Sequence, residues 1–445
     1  MHRRRAIQYL ALIALVLSSC SSQEIRIGIL GDQFGSYLAE NSYAIMQQGV
    51  TELAAMDPDI VLHVGDMLES VQGVSSFEDY RAFYEQAIGN MGRFDCPWLL
   101  AVGDHDVVPP DYRPLSDDRS REAWFMDLMQ ITLPFLDEKP YYSYDLNGYH
   151  FVVLYSMEYL HTDPRWGSIF LNKISDEQLR WLREDLENSK RAKGIVVLVH
   201  HPHWYVWQNW QPVHDILKQY KTRAVIAGHY HYDQDEGLID GIRYLVMGSS
   251  GGVIKDSDVH SGTQEIGFLR LNPRGLSEMR LFEIGSGREV EWTPRISMDR
   301  IQALSCMLDN LWGEIQIYSD GKQLCDSRGM PLEYIALSTL SNPLDLPLKI
   351  RILPEDDLYG DMYWLLEGDT LRQEAILLQP GQRSGWANYA TVGKWSPLPL
   401  IWIAETKKNP STLSALQLGI SLTFEDTRER VLNKTLNYTV QKLRP

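Results

Sequence analysis

From Glu24 to about Gly287 the chain alternates short, continuous apolar runs with longer amphipathic stretches, the pattern of an α/β domain in which buried strands are covered by helices. IRIGILGD, DIVLHVGD, PWLLAVGD, GIVVLVHH and RAVIAGHYH read as buried strands, and each apolar run stops on polar residues. Functional groups at strand ends suggest a site along one rim of a sheet. Between the strands, LAENSYAIMQQGVTELAAM, FEDYRAFYEQAIGNM and SDEQLRWLREDLENSK predict helices. In the last of these, Ser175 and Gln178 have the spacing of a capping box, and Leu179, Leu182 and Leu186 form one apolar face whose job is packing. YYSYDLNGYHFVVLYS, from Tyr141 to Ser156, predicts two strands joined by a turn at Asn147-Gly148.

After Trp292 the pattern changes. One helix is predicted near Met298 to Trp312, followed by strict alternation. LDLPLKIRI sets Leu344, Leu346, Leu348, Ile350 and Ile352 on one face, and LQLGISLTF does the same with Leu416, Leu418, Ile420, Leu422 and Phe424. Such strands bury one side and wet the other, and loops rich in Pro, Gly and Asp separate them. They predict an antiparallel β-sandwich over about 300–445, following an α/β domain over 24–290. No internal repeat or low-complexity tract is present.

The first residues, MHRRRAIQYLALIALVLSSC, place three arginines before an apolar stretch too short for a firm membrane span, the layout of a secretory signal. Leu17-Ser18-Ser19-Cys20 also resembles the bacterial lipobox, which implies a signal over 1–20 and a lipidated Cys20. The expectation is an exported protein, held to a bacterial membrane by acyl chains while the rest stays soluble. Removing Cys20 leaves Cys96, Cys306 and Cys325. Cys96 opens CPWLLAV and reads as a buried core thiol. Cys306 and Cys325 lie in the same later region, where an exported protein has the chance to bridge them, a pairing that sequence alone does not establish.

With 445 residues there is room for two to three domains, and 44% hydrophobic residues give an ordinary globular composition. A formal net charge of −17 argues against a DNA or RNA polymer as partner, because a phosphate backbone needs a positive field.

Five places join an apolar strand to metal-competent residues: Asp32 in LGDQFG, Asp66 in HVGDMLE, Asp104 to Asp106 in VGDHD, His200 in LVHHPHW, and His229 with His231 in GHYH. Carboxylate oxygen and imidazole nitrogen are ligands for Zn, Mn or Fe, and a pair of such ions needs a shared carboxylate to bridge them. Each motif alone reads as well as a helix cap, a turn residue or a surface histidine. Their order and common placement after strands are what carry weight.

In these motifs the sequence resembles the calcineurin-like metallophosphoesterases, the superfamily that includes purple acid phosphatases and cyclic-nucleotide phosphodiesterases. The resemblance covers roughly Arg26 to Gly252 and implies a four-layer αββα sandwich with a two-metal centre at the strand ends. Carried over, it implies that Asp32 and His231 bind the first ion, that Asp66 bridges, and that Asp104, His200 and His229 bind the second, with Mn, Zn or Fe as the divalent or trivalent ions. His105 would stand near the leaving group with Asp106 placed to orient it, and His201 and His203 would be rim groups. The reaction implied is hydrolysis of a phosphate mono- or diester by a hydroxide held between the ions, without a covalent enzyme intermediate.

Two positions depart from the family pattern. Phe34 stands where its first histidine would be and has no donor, so Glu69 or a rearranged Gln33 would have to replace the ligand. Asp104 stands where the family has Asn, which keeps an oxygen and adds a negative charge. These departures motivate a competing reading, a binding or interaction protein on a decayed phosphoesterase scaffold. Against it stand Asp32, Asp66, His105, His200, His229 and His231, all retained. The aromatic run Trp204, Tyr205, Trp207 and Trp210 suits either stacking on a substrate or packing.

Overall fold

A computed structural model gives the structure of the chain. It describes residues 24–33, 39–68, 76–107, 120–133, 135–136, 138–158, 160–163, 167–170, 173–254, 263–309, 342–354 and 375–381, together with the shorter strands named below. The signal segment with Cys20 lies outside the described residues, as do Phe34 and Glu69. Contacts divide the chain into two units, Met1–Lys255 with Ser261–Pro294, and Asp256–His260 with Arg295–Pro445.

The first unit is built on two six-stranded sheets. Its strands are β1 (Ile25–Leu30), β2 (Ile60–His63), β3 (Trp98–Leu100), β4 (Tyr142–Leu146), β5 (Tyr149–Leu154), β6 (Leu160–Asp163), β7 (Gly167–Phe170), β8 (Ile195–Val199), β9 (Thr222–Ala227), β10 (Gln234–Ile239), β11 (Ile242–Val246), β12 (Glu265–Asn272), β13 (Gly275–Glu283) and β14 (Glu289–Val290). One sheet runs β14-β13-β12-β1-β2-β3 and the other β10-β11-β9-β8-β5-β4. β1, β2 and β3 are parallel, as are β5, β8, β9 and β11, so their carboxyl ends share one edge of each sheet.

The period of two in these strands explains the layering. Phe151, Val153, Val196, Leu198, Ile226 and Leu245 of the second sheet share a buried cluster with Ile27 and Ile29 of the first. The alternate residues Val152, Leu154, Val197, Val199 and Val225 cluster instead with Leu182 and Leu186 of helix Asp176–Asn188 and with Trp210 and Val213 of helix Trp207–Leu217. Met46, Val50 and Leu53 of helix Ala39–Ala54 pack with the first sheet. Strands covered on both faces read as unbroken apolar runs, which is why the runs did not alternate. The result is the mixed α/β fold, helix, sheet, sheet, helix, expected from the motifs.

Of three local expectations, one is met and two have a different outcome. The predicted turn forms with positive φ at Asn147 (54°) and Gly148 (83°), joining β4 to β5 as expected. The capping box is only half made: Ser175 accepts the Gln178 N–H at 3.0 Å, but the Gln178 amide is buried and pairs with the Tyr155 backbone at 2.9 and 3.0 Å. Glu158 takes over the reciprocal role and accepts from both N–H and Oγ of Ser175. Cys96, expected in the core, is half-buried at its edge, and burial pushes its thiol up to about 11.

The second unit starts with helix Arg295–Asp309 and continues in β15 (Ile317–Ser319), β16 (Leu324–Cys325), β17 (Ile335–Ala336), β18 (Leu348–Pro354), β19 (Tyr359–Leu366), β20 (Asp369–Leu371), β21 (Ala375–Leu378), β22 (Ile401–Thr406), β23 (Ala415–Glu425) and β24 (Glu429–Lys442). They form sheets of six and four strands, antiparallel except where β15 meets β24. β18 begins only at Leu348, although the alternation starts at Leu344. Pro347 lacks an N–H, and Asn342 folds the preceding residues into a turn by donating to Leu346 O and accepting from Leu344 N. Cys306 is a free, exposed thiol, while the side chain of Cys325 lies outside the described residues.

Candidate metal centre

The loops leaving β1 and β2 carry Asp32 and Asp66, the short helix Asp104–Val107 that follows β3 opens with Asp104, and the loops leaving β8 and β9 carry His200, His229 and His231. Three of these side chains sit on left-handed backbone, with φ of 53° at Asp66, 72° at His229 and 59° at His231. Non-glycine residues in that region cost of order 1–3 kcal/mol each and persist where surrounding bonds over-determine them. Here the Asp32 carboxylate accepts the His229 N–H at 2.9 and 3.1 Å, the Asp66 carbonyl accepts from Gln33 N, and Asp66 Oδ1 accepts the His105 N–H at 2.9 Å. The glycines of the motifs make the crowding feasible. A Cβ at Gly65, whose φ is 112°, would lie 2.6 Å from His200 Nδ1, and one at Gly103 would lie 2.1 Å from Asp66 Oδ1.

Donor atoms converge in two groups, Asp104 with His200, His201 and His229, and Asp32 with Asp66 and His200, each within 4.8 Å of one another. Asp104 Oδ1 stands 3.1 Å from His200 Nε2 and 3.1 Å from His229 Nδ1, and Asp66 Oδ1 stands 3.5 Å from His200 Nε2. His200 is fully buried, and its Nδ1–H donates to Val64 O at 2.9 Å, which aims Nε2 at the carboxylates. His231 is similarly pinned by donation from Nδ1 to Val253 O at 2.6 Å, but lies in neither close group.

Electrostatics point the same way. Burial alone lowers His200, yet Asp66, Asp104 and Asp32 outweigh it and raise the imidazole to about 10, so the surrounding carboxylates favour positive charge at this point. Burial and the charge of Asp104 push Asp66 well up, whereas hydrogen bonds from His200 and His229 overcome burial and hold Asp104 well down. Burial also outweighs Asp104 at His105 and lowers that imidazole, favouring its neutral form. Among the described residues Asp66 Oδ2 is buried with no hydrogen-bond partner, an arrangement that costs several kcal/mol for a carboxylate unless a cation meets it. Mixed imidazole and carboxylate donors suit Zn, Mn or Fe. The residues fit a metal.

Three side chains differ from expectation. His201 and His203, expected at the rim, are 6% and 1% exposed, because Ser156 draws both inward: its Oγ is 2.8 Å from His201 Nδ1 and its carbonyl 3.2 Å from His203 Nε2. Asp106, expected to orient His105, is buried and accepts backbone N–H groups from Leu68 on Oδ1 and from Asp66 and Gly103 on Oδ2, which ties two motif loops together. Burial outweighs those bonds and pushes Asp106 up to about 7. Gln33 is buried, and neither of its amide atoms has a partner among the described residues. In the aromatic run, Trp204 and Trp210 pack in the core against Tyr244, while Trp207 is 37% exposed. The HHPH run signalled additional imidazoles near His200, but only the position of Ser156 shows which way they turn.

Residues 25–233 match the Calcineurin-like phosphoesterase family. The match contains all eight candidate residues. Purple acid phosphatase 23 of Arabidopsis thaliana is 26% identical over 242 residues, covering 46% of this chain and 49% of that protein. The chain spans about half the length, or less, of the curated relatives it matches. Among solved structures, a dimetal phosphatase from Danio rerio is 15% identical, with 60% of this chain and 98% of that chain covered at a TM-score of 0.41. A purple acid phosphatase from yellow lupin seeds is 16% identical, covering 62% and 55% at a TM-score of 0.42. The phosphoesterase match stops at Asp233, so the second unit lies outside it.

Proposed function

We propose that the chain is a metal-dependent phosphoesterase that hydrolyses phosphate mono- or diesters at a two-metal centre. The observation that carries this reading is the buried, unpaired Asp66 Oδ2 beside Asp32, Asp104 and three imidazoles at the strand ends. In it Asp32 and His231 would hold one ion and Asp104, His200 and His229 the other, with Asp66 shared between them. Bound there, the ions would supply Lewis-acid charge and lower the pKa of bound water. His105, fixed by its backbone N–H on Asp66, would donate an N–H to the leaving oxygen. Asp106 holds the loops that carry Asp66 and His105 in register.

The same proposal places the protein outside the bacterial cytoplasm, attached to a membrane through a lipidated Cys20. Among the described residues no helix is long and apolar enough to cross a membrane. The lipobox-like Leu17-Ser18-Ser19-Cys20 supports the anchor, and mass spectrometry of the mature N-terminus tests it.

Hydrolysis of p-nitrophenyl phosphate and bis-p-nitrophenyl phosphate with added Mn, Zn or Fe tests the activity. Turnover that disappears in Asp66→Asn supports the enzyme. Its absence with every ion favours the second reading, a binding protein on a phosphoesterase scaffold, to which the donorless Phe34 already points.

A further inference from the structure

We propose that His201 is a further protein ligand to the ion held by Asp104, His200 and His229, adding a third imidazole to a site that the shared Asp66 also reaches. The proposal deepens the phosphoesterase reading and rests on it for the presence of an ion. An ion with bonds of 2.0–2.1 Å sets neighbouring donors about 3 Å apart. From Asp104 Oδ1 the three imidazole nitrogens lie at 3.1 Å (His200), 3.1 Å (His229) and 3.8 Å (His201). The His201 ring stands perpendicular to His200, with centroids 4.8 Å apart, and 4.0 Å from His229, so three rings surround one carboxylate oxygen.

The tautomer required is one that the surroundings accept. Ser156 is buried, and its Oγ lies 2.8 Å from His201 Nδ1 and 3.4 Å from Met157 Sδ. With the Ser156 oxygen accepting from Nδ1–H, Nε2 of His201, 3.8 Å from Asp104 Oδ1, is the nitrogen that would meet the ion. His203 stacks behind His201 with centroids 5.7 Å apart and donates to the Ser156 carbonyl, so it supports without reaching the donors.

The consequence is a hierarchy. Counting the shared Asp66, the ion at Asp104 would have five protein donors and the one at Asp32 would have three, Asp32, Asp66 and His231, so phosphate would bind chiefly at the less fully ligated ion.

The test is titration of the full chain with Zn and with Co, followed by calorimetry and by the visible spectrum of the Co form. Wild type is expected to show one tight and one weak class of site, with the visible bands of Co in a three-imidazole site at one equivalent. His201→Ala should remove the tight class and those bands, Ser156→Ala should weaken it on the order of 10–100-fold, and His203→Ala should leave it intact. Wild-type affinity and spectrum in His201→Ala, or equal losses in His201→Ala and His203→Ala, would overturn the proposal while the phosphoesterase reading stands. Binding of neither metal by wild type would remove both. If His201→Ala does not fold, proton spectra of wild type with one equivalent of Co decide: three shifted imidazole N–H signals support the further ligand, two overturn it.

Discussion

Asp66 carries two local costs, a left-handed backbone and a buried oxygen without a partner. Native chains retain such costs where function requires them. Asp66→Asn keeps the shape and removes the charge, and is expected to lower phosphatase activity on the order of 10²–10³-fold. The melting temperature of the protein stripped of metal should stay level or rise, since burial penalises the carboxylate. A fall in that temperature in step with activity would mark Asp66 as scaffolding. At this scale the convergence of Asp32, Asp66, Asp104, His200 and His229 was legible because a strand's end fixes where its next residue goes, whereas His231 lies in neither close group. The placements of His201 and Asp106 were not. They depend on a serine 45 residues away and on backbone N–H groups some 40 residues away, which no local spacing encodes.

Among the elements, helix Asp176–Asn188 shows how sequence pattern becomes energy. Leu182 is fully buried against the second sheet, and Leu182→Ala is expected to cost about 2–5 kcal/mol in denaturant unfolding. Ser175→Ala should cost about 1 kcal/mol for the lost cap, with little change in metal binding. Its stripe of leucines and its start were readable from periodicity. The unmade half of the capping box was not, because Gln178 answers to the end of β5 rather than to its own helix.

The same helix is clamped to the β4–β5 hairpin by His150, which is 2.7 Å from Asp185 and 2.8 Å from Asp145. Burial lowers this imidazole, but the two carboxylates outweigh it and raise it above the ordinary 6.5. A raised folded value means the clamp contributes fully below 6.5 and is lost as pH climbs through that folded value. Thermal melts from acid to alkaline pH should show His150→Gln destabilised relative to wild type at low pH, with the gap closing as pH rises. A constant gap would assign His150 to packing alone.

For the whole molecule, an ion bound only by the folded state adds stability by mass action, about 2.7 kcal/mol at a hundred times its dissociation constant. Chelation should therefore lower the melting temperature, and the added metal should restore it together with activity. Loss of activity without a shift in melting would mean that the ions are held too weakly to act as struts. The division into an α/β unit and a β-rich unit was visible as a change of period after Trp292, since alternation and helix-covered runs bury different faces. What lay beyond reach was where irregular segments delay a strand, as Asn342 and Pro347 do before β18.

The candidate ligands come from both sheets: three aspartates follow β1, β2 and β3, and the histidines follow β8 and β9, with Asp104 and His229 125 residues apart in sequence. Neither sheet can assemble the centre by itself, and an emerging chain has no complete site until His231 has been made and both sheets have met. Under the export proposed above, the chain would acquire its ions only after crossing the membrane. The compartment in which it folds would then decide which metal it carries, and the proposed chemistry would stay silent in the one where it is synthesised.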